Sequence, residues 1–102
     1  MESPIERNIE EIARLCRRFA VRRLAVFGSI LRADFEPGSS DADFIVEFEP
    51  IPAGERMLNY LHLQEALGSL LSRRIDLVEE GSIRNPYILQ RVKEQQQLLY
   101  AA

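Results

Sequence analysis

Apolar residues at the start of the chain recur at helical intervals. Ile5, Ile9, Ile12, Cys16 and Phe19 share one side of a helix that is expected to run to about Ala20. Ser3-Pro4-Ile5-Glu6 marks its beginning, with a capping serine, proline at the first helical position and glutamate three residues after the cap. The period then changes. Leu24-Ala25-Val26-Phe27 is an uninterrupted apolar run, the mark of a short buried strand, and Gly28 stops it. From Asp41 to Phe48 the chain alternates. Asp41, Asp43, Ile45 and Glu47 fall on one side and Ala42, Phe44, Val46 and Phe48 on the other, so a second strand is expected, ended by Pro50 and Pro52. Between these strands, residues from Ser29 to about Leu31 start a short helix, and Asp34 to Ser40, with its Pro-Gly turn signal, is a loop.

The second half repeats the scheme. From about Gly54 to Leu71, the positions Met57, Leu58, Leu61, Leu67, Leu70 and Leu71 follow a helical period, with Gly68 a weak point that costs about 1 kcal/mol relative to alanine. Ile75-Asp76-Leu77-Val78 reads as a third strand. Asn85-Pro86 caps a last helix in which Ile88, Leu89, Val92 and Leu99 line one side. The order is helix, strand, helical turn, strand, helix, strand, helix. With no internal repeat, low-complexity tract or linker, residues 1–102 read as one α/β domain.

Composition narrows the function classes. The 102 residues are 46% apolar and 28% charged, an ordinary globular balance that leaves no room for a separate substrate domain. The formal charge of −3 gives no overall field favouring nucleic acid. Arg14, Arg17, Arg18, Arg22 and Arg23 are then a solvated basic face. The single Cys16 has no internal disulfide partner and reads as core in a reducing compartment. No segment approaches the length of an apolar membrane span, and the acidic start Met1-Glu2-Ser3 lacks the layout of a signal peptide, so the cytoplasm is the expected location.

The candidate chemistry sits where strands meet loops. Asp41 and Asp43, two residues apart on a strand, point to one face, where two carboxylates repel unless a cation lies between them. A Gly28-Ser29 corner opening a helix offers backbone N–H groups to phosphate. Metal and phosphate together imply a nucleoside triphosphate. Asp76, a carboxylate in the middle of an apolar strand, is costly unless it faces the same cleft and shares the same cation. Three such carboxylates can hold two magnesium ions against a triphosphate, an arrangement suited to phosphoryl-type transfer. A Gly-Ser after a strand or an Asp-X-Asp is common by itself, and the specificity lies in the ordered combination. His62, mid-helix among leucines, reads as a surface or packing residue, and one histidine with one cysteine cannot make a zinc site. Asp34 and Glu36 read as solvated loop charges, and Tyr60, Tyr87 and Tyr100 as core or interface aromatics, Tyr100 being the one placed to meet a partner.

Gly28-Ser29, Arg32, Ser40-Asp41-Ala42-Asp43 and Asp76 resemble the minimal nucleotidyltransferases of the DNA polymerase beta superfamily, and the likeness spans nearly the whole chain. The words from Arg32 to Pro37 and from Phe44 to Pro50 are similar to the MNT domains, which are encoded beside HEPN-domain ribonuclease toxins and act as their antitoxins. The resemblance implies an α+β fold, a small mixed sheet of three to four strands backed by helices. It implies Asp41, Asp43 and Asp76 as metal ligands and catalytic residues, with Asp76 also helping to deprotonate the acceptor hydroxyl. It places Gly28, Ser29, Arg32 and Ser40 at the nucleotide, with Gly28 and Ser29 on the triphosphate tail. Two Mg2+ ions, with Mn2+ as the alternative, and ATP are the implied cofactor and substrate. Two departures fall in the loop: Ala33 stands where many relatives have glycine, and residues 30–40 are one longer than the commonest form. Neither touches a carboxylate, and loops absorb insertions at small cost.

The expected activity is transfer of AMP from ATP to a hydroxyl, a tyrosine by the resemblance, of a cognate HEPN toxin. A chain of this size carries no module to clamp an aminoglycoside or a primer, so a partner completes the acceptor side. The competing readings are a non-catalytic antitoxin that acts by binding alone and a small-molecule nucleotidyltransferase.

Overall fold

The amino-terminal apolar stripe forms two helices rather than one. In the computed structural model, which describes residues 4–27 and 42–102, α1 (Pro4–Arg7) and α2 (Ile9–Arg18) are separated by a turn at Asn8, whose φ of −115° and ψ of 17° leave the helical region. The break rotates the two segments against each other. Ile5, Ile12 and Cys16 therefore reach the core while Ile9, expected beside them, is 38% exposed. Ala20, in the left-handed region at φ 57°, turns the chain from α2 into the first strand.

β1 (Val21–Phe27) begins three residues before the apolar run that announced it, and β2 (Ala42–Phe48) follows as its antiparallel neighbour. α3 (Ala53–Leu71) then carries the chain to β3 (Ile75–Glu79), which lies parallel to β2. A parallel pair requires such a crossover, because a tight hairpin can only reverse the chain. Ser72, left-handed at φ 54°, ends α3, and its neighbour Arg73 donates its backbone N–H to the Gly68 carbonyl at 3.1 Å. After a 3-10 turn (Glu80–Ser82), Asn85 caps α4 (Pro86–Gln95) by accepting from the backbone N–H groups of Tyr87 and Ile88.

The chain does not continue as helix to Leu99. It leaves α4 at Gln96, which is extended, and adds β4 (Gln97–Ala101) antiparallel to β1. The sheet of the described residues therefore has four strands in the order β3-β2-β1-β4. This mixed sheet with its helices is the α+β architecture expected from the sequence.

One face of the sheet carries the core. Leu24 and Val26 of β1, Phe44 and Val46 of β2, and Ile75 and Leu77 of β3 are buried in one cluster with Ile12 and Cys16 of α2 and Leu63, Leu67 and Leu71 of α3. The core stripe of α3 differs from the one expected. Leu63 is fully buried, whereas Met57, Leu58 and Leu61 are more than half exposed. Tyr100 is partly buried and packs on the core from β4, while Tyr87 is the most exposed of the tyrosines at 79%.

Candidate active site

Two of the acidic residues singled out in the sequence come from adjacent strands in direct register. Asp43 pairs with Asp76 across the parallel β2–β3 ladder, and on its other side with Phe27, the last residue of β1. Since β1 runs against the other two, the end of β1 and the starts of β2 and β3 lie at one end of the sheet. Gly28 and Ser29 follow Phe27 in the chain and Asp41 precedes Ala42. Those three, together with Arg32, Ser40, the capping Ser3, the Ser29–Leu31 helix and the loop of residues 34–40, lie outside the described residues.

Strand alternation decides which way the acids face. Ile75 and Leu77 are buried against the helices, and Asp76 between them is exposed. Phe44 is fully buried, and Asp43 before it is half-buried. Both carboxylates therefore stand on the face turned away from α2 and α3. Neighbouring strands are about 4.8 Å apart, so the two groups reach a common ion, and like charges set directly opposite are unfavourable without one. The donor set is all oxygen, which suits a hard divalent cation such as Mg2+. Among the described residues no cluster of three or more metal-binding side chains occurs.

The next positions along this face are apolar and then ion-paired. Ile45, 5% exposed, lies opposite Val78, and one step further Glu47 is held by Arg22 at 3.6 Å. Asp76 forms no ion pair among the described residues. The unneutralised acid of the face is thus at the loop end. A depression of about 460 Å³ bordered by Phe48, Pro50, Arg56 and Glu79 lies at the far end of β2 and β3, where Arg56 already pairs with Glu79 at 3.3 Å.

Burial in the core pushes the Cys16 thiol up to about 12, although Arg17 pulls weakly the other way. His62 is exposed and tilts against Phe19, with ring centroids 6.1 Å apart, while the Arg18 guanidinium covers the same ring at 5.4 Å. Two residues that the sequence pattern did not single out for the site touch the strand that bears Asp76: Tyr60 donates its hydroxyl to the Leu77 carbonyl and Gln64 its amide to the Ile75 carbonyl. Their only sequence signal is their spacing of four, just off the buried stripe of α3.

The model of the nucleotidyltransferase domain family matches residues 9–99. The protein adenylyltransferase MntA of Thermococcus cleftensis is 41% identical over 71 residues, covering 70% of this chain and 68% of that one. A candidate protein adenylyltransferase of Methanocaldococcus jannaschii is 36% identical over 80 residues, 78% of each chain. Among solved structures, a candidate minimal nucleotidyltransferase superposes with a TM-score of 0.74 at 30% identity, covering 91% of this chain and 90% of that one. A chain of a tri-AMPylated HEPN toxin in complex with its MNT antitoxin, from Shewanella oneidensis, shares the fold with a TM-score of 0.64 at 23% identity, covering 95% and 72%.

Proposed function

This chain belongs to the nucleotidyltransferase domain family, and on that premise we propose that it moves AMP from ATP to a tyrosine hydroxyl of a HEPN-domain ribonuclease toxin, and so serves as its antitoxin. The observation that carries the reading is the register of Asp43 against Asp76 on the face turned away from α2 and α3. The protein adenylyltransferase name of its relatives supports the reaction. The AMPylated toxin in a structural neighbour, and the AMP-PNP bound in another toxin–antitoxin complex, support the partner and the nucleotide.

In this reading Asp41, Asp43 and Asp76 would hold two Mg2+ ions, with Mn2+ as the alternative. Bound there, the metal would neutralise charge on the triphosphate and lower the pKa of the acceptor hydroxyl. Gly28 and Ser29 bind the triphosphate tail through backbone N–H groups, and Arg32 and Ser40 lie beside the phosphates. Asp76 orients the acceptor hydroxyl and accepts its proton. The tyrosine oxygen forms a bond to the α-phosphorus, the bond between the α-phosphorus and the bridging oxygen breaks, and pyrophosphate leaves with that electron pair. The toxin supplies the tyrosine and its orientation. The cytoplasm, which holds ATP and keeps a lone thiol such as Cys16 reduced, is the proposed location.

The test is incubation with Mg2+, the helical protein encoded alongside, and ATP labelled at either the α or the γ phosphate. Label from the α position is expected on a toxin tyrosine and label from the γ position is not; Asp43→Asn and Asp76→Asn should abolish transfer. Toxin neutralised with no label transferred, or transfer undiminished in these variants, refutes the enzymatic reading.

A further inference from the structure

Helix α3 runs antiparallel to β3 and meets it, or the turn before it, at every fourth residue. Arg56 Nε lies 3.3 Å from Glu79 Oε1, the Tyr60 hydroxyl donates to the Leu77 carbonyl, Gln64 Nε2 donates to the Ile75 carbonyl at 3.1 Å, and the Gly68 carbonyl accepts from the Arg73 N–H at 3.1 Å. Helix positions 56, 60, 64 and 68 thus face positions 79, 77, 75 and 73. Four helical residues advance about 6.0 Å and two strand residues about 6.6 Å, so the two periods stay matched along the whole of β3. The gap closes toward Gly68, where a Cβ would stand 3.2 Å from the Arg73 carbonyl oxygen.

The two middle rungs have a specific target. Among the described residues β3 is an edge strand, and an edge presents backbone groups with no strand partner. Tyr60 and Gln64 satisfy the carbonyls of the two residues that flank Asp76. Packing alone does not call for these polar tips, since the buried stripe of the helix is Leu63, Leu67 and Leu71. Holding both flanking residues leaves the strand little freedom to slide along its axis or to rotate about it, the two motions that would move the Asp76 carboxylate away from Asp43.

We infer that Tyr60 and Gln64 are positioning residues for Asp76: their paired hydrogen bonds to the Ile75 and Leu77 carbonyls lock the edge strand against β2 and hold the Asp76 carboxylate opposite Asp43. The inference rests on the reading of Asp43 and Asp76 as the reacting centre.

Tyr60→Phe combined with Gln64→Met keeps the apolar volume and removes both donors. In the labelled-ATP assay kcat is expected to fall about 10²-fold, the scale of a 1 Å misplacement, with KM for ATP unchanged. Tyr60→Phe alone gives part of the effect and serves if the double variant folds poorly. Asn59→Ala removes a bond of the same kind from the same helix, from Asn59 Nδ2 to the Phe19 carbonyl at 3.0 Å, and leaves kcat at the parent value. Amide hydrogen exchange on the nucleotide-free protein reads the lock directly: protection across residues 75–79 drops in the double variant while β1 and β2 keep theirs. If the parent protein transfers no label, the proposed function fails on its own and exchange alone decides the lock. Unchanged kcat in an active enzyme, an equal fall in Asn59→Ala, or unaltered exchange across β3 overturns the inference.

Discussion

At the scale of single residues, the physics of the candidate site is one of like charges brought together. Asp76, which forms no ion pair among the described residues, stands directly opposite Asp43 on the neighbouring strand, so Asn at position 76 relieves repulsion in the metal-free protein. Asp76→Asn is expected to melt at or slightly above the parent temperature without metal while losing transfer; a clear drop in the metal-free melting temperature contradicts this. The same scale separates Leu63 from Leu61. Leu63 is fully buried and Leu61 is 51% exposed, so Leu63→Ala should cost about 2–5 kcal/mol and Leu61→Ala stay within about 0.5 kcal/mol, as read by denaturant unfolding. The two acids were legible because a period of two assigns faces unambiguously. The buried side of α3 was not, since apolar residues occur all around its first half and only the sheet beneath selects Leu63. Cys16 gives the pH prediction. Its thiol, pushed from 9.0 to about 12 by burial, keeps its proton in the fold when the unfolded chain has lost it. Stability is thus complete below about pH 9 and falls between 9 and 12, whereas Cys16→Ala should flatten that part of the curve in unfolding measured across this range.

At the scale of elements, local signals worked where a residue caps or stops a segment. Asn85 accepts from two backbone N–H groups at the start of α4, and Asn85→Ala should lower stability by about 1 kcal/mol in chemical denaturation. Two elements escaped the pattern for different reasons. The break at Asn8 carries no proline or glycine, and a helical period continues through it in the sequence even though the backbone does not. β4 starts within a glutamine-rich stretch, residues 95–97, that favours helix as readily as strand. Its conformation is imposed by pairing with β1, a long-range interaction that local propensity cannot record.

At the scale of the whole molecule, the sheet order β3-β2-β1-β4 is what turns scattered motifs into a site. It puts the end of β1, with Gly28 next in the chain, beside the starts of β2 and β3. The sequence showed the pieces in order and the resemblance implied their meeting. Register, edge position and the ladder from α3 are properties of the assembled sheet and were not legible before it. The most direct measurement of the account is backbone amide NMR of the full chain titrated with Mn2+ in the presence of ATP, since the bound ion broadens the amides around it. The expected result is earliest loss of signal at Asp43, Phe44, Asp76 and Leu77, with Glu47 and Glu79 at the far end persisting and Asp76→Asn weakening the effect. Broadening centred on Glu10 and Glu11, or on Glu79 and Glu80, with the Asp43 and Asp76 amides intact, would contradict it.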